Sequence, residues 1–103
     1  MYVLNYWHTV SDFSEWKKLF DSDPLGREAS GVRRVSIERP VDDDHTVIGE
    51  LEFDSRGEAE TFASRLEEIW KGSAGGTVSN AGYRVTEVVE QQQFGSESGR
   101  RAA

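Results

Sequence analysis

Apolar residues crowd the first segment of this chain on both faces, then recur at every third or fourth position, then at every second, before the helical spacing returns. Residues 2–9, Tyr-Val-Leu-Asn-Tyr-Trp-His-Thr, are aromatic and β-branched and predict a first strand. Both of its faces are bulky, Tyr2, Leu4, Tyr6 and His8 on one and Val3, Asn5 and Trp7 on the other, as in a strand covered on both sides. Phe13, Trp16 and Phe20 follow at helical spacing. Asp12 and Glu15 form a capping-box pattern at the start of that helix, and Asp23-Pro24 ends it, because proline drives the residue before it out of the helical region. Residues 32–39 alternate, with Arg33, Val35, Ile37 and Arg39 expected on one face and Arg34, Ser36 and Glu38 on the other. A polar turn over 40–44 leads to a third strand over 45–53, with Val47, Gly49, Leu51 and Phe53 on one face and Ile48, Glu50 and Glu52 on the other. Ser55 and Glu58 open a second helix whose Ala59, Phe62, Ala63, Leu66, Ile69 and Trp70 make an apolar stripe, running to about Lys71. A glycine-rich loop over 72–82 precedes a fourth strand over 83–90, and residues 93–103 are expected to be a disordered tail to a single domain over 1–92.

The order β-α-β-β-α-β predicts an α+β domain of the ferredoxin-like type. Crossovers of one hand put both helices on one face of an antiparallel sheet. The other face, with Arg34, Glu38, Glu50, Glu52 and Arg84 beside Ile48 and half of the first strand, is too apolar for water and too charged for a dry core. A wet homodimer interface suits that mixture.

Composition narrows the partners. The formal net charge of −7 opposes docking on phosphate backbones or anionic lipid, so neither nucleic acid nor membrane is expected. With no cysteine, the chain has no disulfide and no thiolate chemistry. No apolar run reaches the ~18 residues of a membrane span. Residues 1–5 lack the charged and apolar regions of a signal peptide, which makes the cytoplasm the expected compartment.

The stretch from His8 through Asp12-Phe13-Ser14-Glu15-Trp16-Lys17, with Phe20-Asp21, Gly31-Val32, Leu51-Glu52-Phe53-Asp54-Ser55 and Glu58-Ala59, resembles small bacterial dimeric α/β-barrel proteins of the antibiotic biosynthesis monooxygenase-like superfamily. The resemblance spans about residues 2–90. It implies the ferredoxin-like fold, a homodimer, and oxidation of a small aromatic or polyketide-like molecule without a cofactor, by a monooxygenase-like or cyclase-like enzyme. In such enzymes Asn and Trp side chains orient a phenol, which draws attention to Asn5 and Trp70. Haem-degrading relatives use a histidine on the second helix as axial ligand. The two histidines here, His8 and His45, lie elsewhere, so no cofactor is expected.

His8, at the end of the first strand, is the best-placed general acid or base, with Asn5 as the second catalytic candidate. Its alternative is a structural histidine bonded to the strand–helix turn. Tyr6, Trp16 and Trp70 are candidate walls of an aromatic pocket with the glycine loop as a lid, and Arg27 is a candidate clamp for an acidic ligand. Their alternatives are filled core and, for Arg27, Arg34 and Arg84, ion pairs with Glu38, Glu50 or Glu52. Asp42, Asp43, Asp44 and His45 read as a solvated turn, and no metal site is expected. Two functions therefore stand open: an enzyme or binder of a small aromatic molecule, and a non-catalytic homodimeric metabolite-binding or interaction module. The first needs a cavity of a few hundred Å³ beside His8; the second needs close packing there.

Overall fold

A computed structural model describes residues 1–72 and 78–95. Its elements are β1 (Tyr2–Val10), α1 (Phe13–Asp21), β2 (Val32–Glu38), β3 (Thr46–Phe53), α2 (Arg56–Lys71) and β4 (Val78–Glu87). The strands form one antiparallel sheet in the order β2-β3-β1-β4. This is the ferredoxin-like arrangement, with β1 and β3 inside and both helices on one face.

Both helices begin where the sequence places a cap. Asp12 Oδ1 accepts from the Glu15 amide at 3.1 Å, and Ser55 Oγ accepts from the Glu58 amide at 3.1 Å. Each bond satisfies one of the amides a helix start leaves without a partner. The Glu58 carboxylate accepts the Ser55 hydroxyl at 3.2 Å and lies against Gly31, whose φ of 102° suits glycine. Gly72 closes α2 through its amide on the Ile69 carbonyl.

The face of β1 that meets the helices is Leu4, Tyr6, His8 and Val10, all buried. It joins Val47, Leu51 and Phe53 of β3, Val32 of β2, Val78 of β4, Trp16 of α1, and Ala59, Phe62 and Ala63 of α2 in one core. Burial of each large apolar side chain contributes about 1.5–3 kcal/mol. On the opposite face Asn5 donates to Thr86 Oγ1 at 3.3 Å, and the Trp7 indole lies against Gly82 and is 39% exposed.

Two strands depart from strict alternation. Val32 pairs with Phe53 but Arg34 with Glu52, so Arg33 is an extra residue. This bulge puts Val32, Val35 and Ile37 on the helix side and takes Arg33 off the apolar face where simple alternation put it. Arg33 instead pairs with Asp54 at 2.7 Å. β4 starts at Val78, five residues earlier than expected, and ends at Glu87 rather than 90. Its register shifts between Trp7 and Thr9, opposite Asn80, which has a φ of 52°. Asparagine tolerates that left-handed conformation, so a segment that reads as loop joins the sheet. Val89, within the expected span of the fourth strand, lies beyond β4 and is 91% exposed. Residues 73–77 of the expected lid and 96–103 of the expected tail lie outside the described residues.

Candidate functional site

β1 carries Tyr6 and His8 on its helix side. α1 brings Trp16, Leu19 and Phe20 over them, and α2 brings Phe62, Leu66, Ile69 and Trp70 from the other side. After α1 the chain turns sharply at Asp23, whose φ is 57°. Asp23 Oδ1 accepts the Arg27 amide at 2.9 Å, and this turn lays Pro24, Leu25 and Arg27 along the mouth of a cavity. The cavity measures about 60 Å³ for the centres of water-sized molecules. A single water needs about 10–15 Å³ on that measure. The space is smaller than the few hundred Å³ the catalytic expectation set, and larger than close packing leaves.

His8 is 2% exposed and sits in a box of rings. It stacks on Tyr6 (centroids 5.7 Å apart, planes within 13°), with Trp16 tilted at 5.4 Å and Trp70 edge-on at 5.8 Å. Its Nδ1 has no hydrogen-bond partner among the described residues. Burial among these rings lowers its pKa to about 4, so at neutral pH the ring is uncharged. Burial likewise pushes the Tyr6 hydroxyl well above the usual phenol range, against a smaller opposing pull from the Arg27 cation. The site thus holds two neutral polar groups in an apolar enclosure.

Arg27 is held at the mouth. Its Nη1 donates to the Phe20 carbonyl at 2.8 Å and lies 3.5 Å from Asp23, and its guanidinium stacks 4.0 Å above the Phe20 ring. Phe20 in turn stacks on Trp16 at 5.2 Å. Of the residues singled out in the sequence, the fold gathers Tyr6, His8, Trp16, Arg27 and Trp70 around this one cavity. Asn5 lies on the other side of the sheet, bonded to Thr86. Alternation along β1 places Asn5 opposite in face to His8, and the buried side of that strand was the missing information. The Asp23-Pro24-Leu25 mouth has no periodic signature, and only the helix-stopping Asp-Pro pair marks it.

The remaining polar clusters are accounted for locally. Arg34 lies 3.6 Å from Glu52 on the open face. In the hairpin, Asp43 accepts from the His45 amide and the Thr46 hydroxyl, each at 2.8 Å, and these bonds lower its pKa. His45 donates through Nδ1 to the Val10 carbonyl at 3.0 Å. Among the described residues no three His, Cys, Asp or Glu side chains come close enough to hold a metal, and no helix is long and apolar enough to cross a membrane.

No family model matches the sequence, and no curated protein matches it. Its structural neighbours are ferredoxin-like proteins, including members of the antibiotic biosynthesis monooxygenase-like group. A variant of SnoaB, a cofactor-independent oxygenase from Streptomyces nogalater, superposes with a TM-score of 0.70 at 11% identity, over 87% of this chain and 94% of that one. A variant of MhuD with two manganese protoporphyrin IX molecules bound per active site gives 0.68 at 18% identity, over 91% and 100%. A dimeric ferredoxin-like protein from an uncultured marine organism gives 0.60 at 13% identity, over 88% and 97%. At such identities these are likenesses of fold. The residues here do not fit a porphyrin: the cavity is far below the ~300–1,000 Å³ of sites for drug-sized ligands, and the His8 ring is enclosed by Tyr6, Trp16 and Trp70.

Proposed function

We propose that this chain is a homodimeric α/β-barrel protein whose helix-side cavity takes up a small aromatic molecule. One observation carries the reading: an uncharged histidine, almost wholly buried, lines a cavity walled by rings, and its Nδ1 has no partner among the described residues. A buried polar atom left so costs about 1–3 kcal/mol. A filled core would have covered it with a donor or replaced it with an apolar side chain. The ring walls offer stacked and edge-on slots to another ring.

His8 acts in this reading as a hydrogen-bond acceptor, not as a base that removes a proton outright. A phenolic hydroxyl titrates near 10 and His8 at about 4. Full transfer between them is uphill by about 8 kcal/mol at 1.36 kcal/mol per pKa unit. Oxidation of the bound ring without a cofactor is a second reading, supported by the likeness of fold to SnoaB. It requires a substrate far more acidic than simple phenol, or a proton acceptor other than His8.

The dimer is supported by the open sheet face, where Val3, Trp7 and Ile48 lie among Arg34, Glu50, Glu52 and Arg84, and by the dimeric ferredoxin-like neighbours. Thermal melting with a panel of one- and two-ring aromatic compounds tests the binding reading. A Tm that rises with ligand concentration is expected for at least one compound, and a flat response across the panel would discard it. Oxygen uptake with the compound that binds tests the oxidative reading.

A further inference from the structure

We propose that the open sheet face docks on the same face of a second copy through two reciprocal ion pairs, Glu50 with Arg84 of the partner subunit and Arg84 with Glu50 of the partner subunit, about a two-fold axis running along β1 over Asn5. This rests on the dimer reading above and gives it an orientation and a pairing rule.

The strand register sets Ser36, Glu50, Asn5 and Arg84 side by side across β2, β3, β1 and β4. This middle row is polar on every strand. Along β1 and β3 it is bordered by Val3 on one side and by Trp7 and Ile48 on the other. In the Val3 row, Arg34 and Glu52 lie 3.6 Å apart and neutralise each other. Glu50 and Arg84 are different. Both are exposed in the single chain, and among the described residues neither has an opposite charge within 4 Å. They stand one strand to either side of β1, and two strand spacings are about 10 Å.

Symmetry turns that spacing into a pairing rule. A two-fold axis along β1 exchanges its two sides, so Glu50 comes to face Arg84 of the partner subunit, and the contact is made twice. An axis along the row instead sets Glu50 on Glu50 of the partner subunit and Arg84 on Arg84 of the partner subunit, and like charges facing across a closing interface repel. Facing sheets pack about 10 Å apart, a gap that a glutamate and an arginine span end to end. Desolvation offsets part of what each pair gains. The pairs therefore select orientation and partner more than they add affinity.

Sedimentation of intact chains at micromolar concentration tests the rule by charge exchange. Glu50→Arg and Arg84→Glu, each alone, place two like-charge contacts in the interface and should associate at least about tenfold more weakly than the natural chain. Mixed in equal amounts they should regain twice the mass of one chain, because the mixed pair holds one natural contact and one with its charges exchanged. Glu50→Arg/Arg84→Glu in a single chain should also regain the dimer, and it decides the matter if either single variant fails to fold. Single variants that dimerise as tightly as the natural chain, or a mixture or double variant that stays apart, would overturn this inference and leave the dimer reading standing. A natural chain that sediments as one chain would overturn both.

Discussion

The Tyr6 ring lies flat against the backbone of Gly49, its partner across the β1–β3 ladder, and leaves no room there for a β-carbon. Glycine in the middle of a strand costs stability by itself. Here its missing side chain lets Tyr6 lie down beside His8 and form one wall of the cavity. Gly49→Ala should therefore push the ring into the cavity, destabilise the fold by about 1–3 kcal/mol, and abolish aromatic binding. Denaturant unfolding and a melting assay with phenol check this together. Tyr6→Leu should suppress much of the Gly49→Ala penalty, because the clash partner is gone. Additive penalties would mean that the ring and the glycine are independent.

The depressed pKa of His8 makes stability depend on pH with a definite sign. In the unfolded chain the ring has its ordinary value of 6.5, against about 4 in the fold. Between these values the unfolded state binds more protons, so stability falls as pH drops from about 6.5 to 4 and is fully retained above that window. The loss attributable to this ring is about 3 kcal/mol. Unfolding curves of the natural chain and His8→Phe, measured across the window, should diverge by that amount. Parallel curves would show that the ring is not the titrating group.

The open sheet face predicts the oligomeric state. Sedimentation at micromolar concentration should give about twice the 11.6 kDa of one chain. Trp7→Glu, near Glu50 on the uncovered side, should shift that mass toward one chain. A monomeric natural protein would remove the dimer from the proposed function.

Ser55→Ala should cost about 1 kcal/mol through the lost α2 cap and leave ligand affinity unchanged, since Ser55 lies outside the cavity lining. A parallel fall in affinity would tie the start of α2 to the site.

The architecture was legible because its signals are local. Capping residues, helical stripes and alternating strands each name their own element, and Asp12, Ser55 and the stripe from Ala59 to Trp70 did so. The convergence of Tyr6, His8, Trp16, Arg27 and Trp70 followed once the strand order was right. What alternation alone could not show was where it breaks. The extra residue at Arg33 and the left-handed Asn80 are set by pairing with distant strands, and neither residue type declares a bulge. The face of β1 was ambiguous for a similar reason. Trp7 is as apolar as Tyr6, and only the position of the helices decides which one is buried. Asn5 went with Trp7, to the side away from the cavity.

That division separates the chain's three indoles. Trp16 and Trp70 flank His8 beneath the helices, and Trp7 rests on Gly82 on the sheet's far side. Under the proposed function, ultraviolet emission would therefore report two events independently: uptake of a small guest would perturb the first pair, and association of two chains would perturb the third. Replacing Trp7 with phenylalanine would silence one signal and keep the other, so occupancy and assembly become separately measurable in a single cuvette without an attached dye.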